Sequence, residues 1–186
     1  MEKERLKTVD IAKGIGIILV VWAHASGPGS NWIYQFHMPL FFLISGYLFN
    51  SKTTIKEFVV RKIKSLYLPF VIWNLVIILL RTLRNLLTSS PTASYTIKAV
   101  IKTVLLLDKD SQFFGATWFL GALFIISVLY KCCDVIIEWK YKRVVILLIF
   151  MLLAAFGFAV SLPYFLSRTL ILGMFFAFGH VVREQK

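Results

Sequence analysis

The sequence predicts an all-α, polytopic membrane helical bundle of about six transmembrane helices, with amphipathic interfacial helices beside them. Three observations carry this expectation. Apolar residues make up 59% of the chain and the mean hydropathy is +0.78, whereas soluble domains are roughly 45–50% apolar. The weakly charged runs have the length a bilayer requires, about 20 residues. Finally, the cations concentrate in alternate connections. Lys3, Arg5, Lys7 and Lys13, then Lys52, Lys56, Arg61, Lys62 and Lys64, then Lys131, Lys140, Lys142 and Arg143, and last Arg183 and Lys186 number fifteen. The other connections hold six: Arg81, Arg84, Lys98, Lys102, Lys109 and Arg168. This is the positive-inside asymmetry, and it predicts a multi-pass inner-membrane protein with a cytoplasmic N-terminus. The net charge of +12 then reports topology, and nucleic acid is not an expected partner.

The elements follow in order. A first span is expected over Ile11–Ala25, closed by Gly27-Pro28-Gly29-Ser30-Asn31, residues that punctuate helices. A second returns over Trp32–Phe49. In Ser51–Lys64, the apolar Ile55, Phe58, Val59 and Ile63 recur at helical spacing among cations, the pattern of a basic amphipathic helix on a membrane surface. A third span is expected over Leu66–Leu83. The longest polar stretch follows, Leu87–Gln112, and within it Ile97, Val100, Ile101, Val104 and Leu105 mark a further amphipathic helix. Spans four, five and six are expected over Phe114–Tyr130, Val144–Val160 and Tyr164–Val182. Residues 1–186 read as one transmembrane unit without internal repeats or a soluble domain.

The basic N-terminus, its apolar run and Ala23-His24-Ala25 imitate a cleavable secretory signal. Five further apolar segments favour a retained span instead. The two cysteines, Cys132 and Cys133, are adjacent and fall on the expected cytoplasmic side, where thiols stay reduced.

Chemistry is expected where polar residues interrupt this apolar chain. From Gly14 to Ser51 there is no Asp, Glu, Lys or Arg, yet the run holds His24 and His37. An ionisable group at membrane depth is expensive and marks chemistry or transport. His24 lies eleven residues after Lys13, about 1100° of helical rotation, so both project from one face roughly 16 Å apart along the axis. Asp10 stands one turn before Lys13 on the same side. Span one thus carries a stripe with an acid and a base at one mouth and an imidazole deeper in. Bland readings stand beside this one. Lys13 also fits an anchor snorkelling to headgroups, Asp10 a solvated helix-start residue, and His24 an interhelical hydrogen bond. His37 neighbours Pro39, which lacks a backbone donor and disturbs a helix, so it also fits a kink residue. Ser45 and Gly46 are small enough to admit close helix approach. Arg61, Lys62 and Lys64 fit the positive-inside rule without further function. No Gly-x-Ser-x-Gly elbow, P-loop or metal-spaced Cys/His set occurs, so no metal is expected.

Lys13-x10-His24 followed by Phe36-His37-Met38-Pro39-Leu40-Phe41-Phe42-x-x-Ser45-Gly46-Tyr47 resembles the integral-membrane acyltransferase-3 family, in particular its fucose 4-O-acetylase-like branch. Arg61 to Lys64 leading into Leu68-Pro69-Phe70 is similar to the family's basic segment before its third span. Trp118-Phe119-Leu120 and Leu172-Gly173-Met174-Phe175-Phe176 with Gly179 are similar to weaker, later signatures. Two departures stand out. Many members have arginine at the position of Lys13, and lysine lacks arginine's planar bidentate grip. The family also has more spans than this chain, which resembles an N-terminal six-span portion incomplete at its C-terminus.

The resemblance implies O-acyl transfer: an acetyl or other short acyl group moves from cytoplasmic acetyl-CoA, a co-substrate, to a hydroxyl of a cell-envelope glycan or sugar. It implies that His24, with Lys13 and Asp10, is catalytic. His24 would serve either as general base, the role histidine's near-neutral titration suits, or as a covalent acyl carrier. Lys13, Arg61, Lys62 and Lys64 would hold the CoA phosphates, and His37 with Ser45 would bind the acceptor. The expected partners are the lipid bilayer, acyl-CoA and the glycan. Alternatives are a transporter or exporter subunit with His24 and His37 along its path, and a non-catalytic truncated remnant.

Overall fold

A computed structural model describes residues 7–87, 97–98, 100–101, 117–162 and 165–183. Its elements are α1 (Lys7–His24), α2 (Ser30–Tyr47), α3 (Ile55–Lys62), a π-helical turn (Ile63–Tyr67), α4 (Leu68–Leu87), α5 (Trp118–Ile136), α6 (Lys142–Ala159) and α7 (Leu166–Val182). Among the described residues there is no strand, and each expected span overlaps a helix; the expected starts at Phe114 and Tyr164 lie outside the described residues, and α5 runs six residues past the expected end at Tyr130. The amphipathic stretch expected at 97–105 lies mostly outside the described residues; Ile97, Lys98, Val100 and Ile101 are helical.

The protein is a membrane protein. Among the described residues three helical stretches are long and apolar enough to cross a bilayer: Ile55–Leu87, Trp118–Ile136 and Lys142–Ala159, with Leu166–Val182 a shorter apolar helix. The expected six are thus not all matched by this measure. α1 carries Lys7, Asp10 and Lys13 within its 18 residues, and α2 carries Ser30, Asn31, Gln35 and His37 within the same length. Both still present apolar side chains outward, among them Ile11, Ile15, Ile18, Val21, Trp22 and Trp32. A surface of that kind suits lipid or protein, not water.

Local chemistry explains the joints. α2 runs unbroken through Pro39, although proline removes the donor that the Gln35 carbonyl would receive. α3 opens on a capping pair, with the Thr54 hydroxyl accepting the Glu57 N–H at 3.3 Å. Replacing Thr54 with alanine is expected to cost about 1 kcal/mol, readable as earlier fraying of α3 in hydrogen exchange. Between α3 and α4 the backbone widens, and the Leu68 N–H bonds the Ile63 carbonyl five residues back. Pro69 explains the place: its ring would crowd the Ser65 carbonyl in a regular helix, and a π turn opens the ladder there. In α4, Asn74 donates to the Phe70 carbonyl at 2.7 Å and accepts from Thr117 at 3.3 Å, tying α4 to the start of α5.

The core lies among α2, α5, α6 and α7, with Phe42, Ile126, Tyr130, Ile146, Phe150 and Phe176 fully buried. Phe49, just beyond α2, is its hub, with ring centroids 4.9 Å from Tyr130, 4.9 Å from His180 and 5.4 Å from Phe58. α2 and α7 meet backbone to backbone. A Cβ placed on Gly46 would lie 1.8 Å from the Phe176 carbonyl oxygen, and one on Gly179 would lie 2.0 Å from the Leu43 carbonyl oxygen.

Candidate functional site

The α1–α2 hairpin builds the site. Residues 25–29 turn the chain, with Ser26 and Gly29 at φ 57° and 78°, and Trp22 Nε1 donates across it to the Pro28 carbonyl at 3.1 Å. Beyond the turn the helices pack antiparallel: Gly16 faces the Phe41 ring, and the Tyr34 hydroxyl reaches the Ala23 carbonyl at 3.0 Å. That register brings three polar rings into a row at the turn end. His24 and Tyr34 have ring centroids 5.5 Å apart, as do Tyr34 and His37, both edge-on. His24 is exposed, whereas His37 is only 2% exposed. Tyr34 also lines an open cleft of about 540 Å3 with Ala23, Ser26, Gly27, Asn31 and Trp32.

Hydrogen-bond roles set the tautomers. A carbonyl only accepts, so the 2.7 Å contact of His37 Nδ1 with the Ile33 carbonyl puts the proton on Nδ1. Likewise the Tyr34 hydroxyl spends its hydrogen on the Ala23 carbonyl. Its longer contact with His24 Nδ1, 3.4 Å, then has Nδ1–H donating to the phenolic oxygen. Each imidazole is left with its lone pair on Nε2. For His24, which is exposed, that is the arrangement a general base or nucleophile requires.

The other candidates stand elsewhere. Lys13, half-buried, and Asp10, exposed, are at the far end of α1 from His24, eleven and fourteen residues away, or roughly 16 and 21 Å along the axis. The hairpin register carries Lys13 to the level of the C-terminal part of α2, where half-buried Ser45 lies. Ser45 is eight residues past His37, about 12 Å along the helix, so the structure does not gather these two residues into one cluster. Arg61 lines an open groove of about 600 Å3 with Thr53, Lys56, Glu57 and Val60. Lys62 turns inward, its Nζ 5.5 Å from the Phe58 ring centre. Lys64 is exposed on the π turn. Arg61, Lys62 and Lys64 therefore do not converge on a single pocket.

Two features escaped the sequence reading. Tyr34 joins the histidines, and its signal was one helical turn of spacing to His37 plus a short turn back to His24. At the opposite, basic end, Lys131 is 1% exposed; its Nζ donates to the Ser51 carbonyl at 2.8 Å and lies 3.4 Å from Asp134. Asp134 is also 2.8 Å from Lys142. Arg143 donates to the Arg183 carbonyl at 3.2 Å, and Arg183 to the Phe49 carbonyl. Beside them the Tyr130 hydroxyl and His180 Nδ1 share a buried 2.7 Å hydrogen bond. Among the described residues no group of three or more His, Cys, Asp or Glu is placed to hold a metal ion.

Comparison with known proteins gives the site a family context. The family model described as an acyltransferase domain, of the acyltransferase-3 type, matches residues 6–184. The nodulation protein NolL of Mesorhizobium japonicum is 33% identical over 138 residues, covering 66% of this chain and 34% of that protein. NolL of Sinorhizobium fredii is 30% identical over 151 residues, covering 71% of this chain and 38% of the relative. The chain thus spans little more than a third of the length of these relatives. No solved structure matches it.

Proposed function

We propose that this chain, which belongs to the acyltransferase-3 family, serves a membrane O-acyltransferase that moves an acetyl or other short acyl group from acyl-CoA to a hydroxyl of a cell-envelope glycan or sugar. The observation that carries the reading is the exposed His24 imidazole, whose Nδ1 rests on Tyr34 and whose Nε2 is left to accept a proton. The acceptor hydroxyl oxygen attacks the thioester carbonyl while Nε2 takes its proton. The new C–O bond forms, the C–S bond breaks, and the imidazolium returns the proton to the departing thiolate. A stepwise route through acyl-His24 uses the same lone pair.

In this reading the basic end faces the cytoplasm in the inner membrane, supported by cations gathering at the ends of α2, α5 and α7 and at the start of α6. Lys13, Arg61, Lys62 and Lys64 draw the CoA phosphates to that end, and Asp10 orients Lys13 from one turn away. The long, flexible pantetheine arm carries the acyl group up the α1 stripe toward His24. His37 orients the acceptor, and Ser45 lies along the donor's route instead of beside His37.

Purified protein given radiolabelled acetyl-CoA and a panel of sugars and glycan fragments is expected to form alkali-labile labelled esters. Absence of ester with every acceptor would overturn the proposal. The row His24–Tyr34–His37 also favours a second reading, a proton path in a transporter. Proteoliposomes that move protons yet form no ester would select it.

A further inference from the structure

We propose that the pocket between the α5–α6 connection and the end of α7 is a binding site for a phosphate group. It has a volume of about 500 Å3 and is lined by Lys140, Lys142, Arg143 and Arg183, with Ser51 and the Trp139–Tyr141 pair at its walls. That size lies within the range of small-molecule sites, about 300–1,000 Å3. None of its cations belongs to the set that the family resemblance implies for the CoA phosphates.

The charge balance points to an anion. Lys131, Lys140, Lys142, Arg143 and Arg183 surround the region, and the described carboxylates near them are Asp134 and Glu138. Asp134 is buried behind the pocket and taken by Lys131 and Lys142. Glu138 is exposed in the connection and is not part of the lining. Among the described residues neither Arg143 nor Arg183 has a carboxylate partner; each donates to a backbone carbonyl, Arg143 to Arg183 and Arg183 to Phe49. A carbonyl fixes a guanidinium without cancelling its charge, so two oriented planar donors remain suited to phosphate. α6 starts at Lys142, and the positive end of its dipole adds to the same field.

Topology alone explains cations at this end but not their convergence. Cations that only set orientation extend into the headgroup layer, whereas Lys142, Arg143 and Arg183 are half-buried and tethered around one cavity. Trp139 and Tyr141, edge-on at 5.8 Å and both exposed, give the rim an aromatic surface. The phosphate arrives either on a soluble nucleotide or on an anionic lipid headgroup, and both present the same chemistry to the arginines.

The two sources separate by experiment. Calorimetry with the detergent-purified protein uses adenosine 3′,5′-bisphosphate as the soluble probe. Melting in phosphatidylcholine nanodiscs with and without phosphatidylglycerol tests the lipid. Lys140→Glu is the informative variant, because Lys140 is exposed and its Nζ lies over the ring of its neighbour Tyr141, 5.6 Å from the centroid. Binding of either probe by the wild type, weakened at least about tenfold in Lys140→Glu with an unchanged melting temperature of the unliganded protein, is the expected result. Arg143→Gln gives the second reading of the same loss. Binding of neither probe, or equal binding by Lys140→Glu and Arg143→Gln, would overturn the site. The readout is binding, so a wild type that binds the bisphosphate but forms no ester would sink the acyl-transfer reading and leave this pocket standing.

Discussion

His24→Gln is expected to lower acetyl transfer by about 10²–10⁴-fold, the usual contribution of a positioned general base, with donor binding little changed. Glutamine keeps polarity and nearly the same reach but has no basic lone pair. Donor binding is expected to survive because the cations proposed to grip phosphates lie at the other end of the bundle, Lys13 being roughly 16 Å away along α1. Tyr34→Phe tests the geometry separately. Phe keeps the edge-on ring contacts on both sides but removes the oxygen that receives His24 Nδ1–H. It should lower the maximal rate by less than His24→Gln, with the Michaelis constant for donor unchanged. Single-turnover rates with labelled acetyl-CoA decide the matter. Transfer that persists at wild-type rate in His24→Gln would remove the histidine from the chemistry and turn attention to Nε2 of His37.

The way this bundle is assembled explains which of its features the sequence disclosed. Helix positions follow from where apolar runs meet charges, a one-dimensional property, so α3 was legible from Ile55, Phe58, Val59 and Ile63 and its Thr54 cap lies just outside them. The histidines were legible because they interrupt an uncharged run. Tyr34 was not, since a tyrosine in an apolar helix is unremarkable until the α1–α2 register sets it against the Ala23 carbonyl. The partners of Lys131 were hidden for a related reason. Lys131 counts toward the charge asymmetry like any lysine, yet it is buried, bridging the Ser51 carbonyl and Asp134 80 and 3 residues away. Sidedness needs only the number of cations, while pairing needs three helices brought together. The same logic divides Ser45 from Gly46. Both read as small residues fit for close approach, but Gly46 is the one pressed on α7.

That contact sets the second large effect. Gly46→Leu is expected to unseat α7 from α2, at or above the upper end of the about 1–3 kcal/mol typical of overpacking. Its Cβ alone would sit 1.8 Å from the Phe176 carbonyl oxygen. The obstacle is helical backbone, which cannot turn aside as a side chain can, so α7 as a whole must move. Movement there disturbs the Phe49 hub, because Phe176 and His180, on α7, both pack on that ring. Gly179→Leu should behave alike, since its added Cβ meets the Leu43 carbonyl oxygen from the opposite side at 2.0 Å. Gly14→Ala supplies the contrast: nothing lies within 4 Å of its added Cβ, and alanine in a helix interior gains roughly 0.5–1 kcal/mol over glycine. Thermal unfolding in one detergent should therefore rank Gly14→Ala at or above wild type and both Leu variants far below it. If all three melted together, the α2–α7 seam would not govern stability. A selective loss in the Leu variants would place that seam, rather than the turn that holds His24, as the joint on which the folded bundle depends.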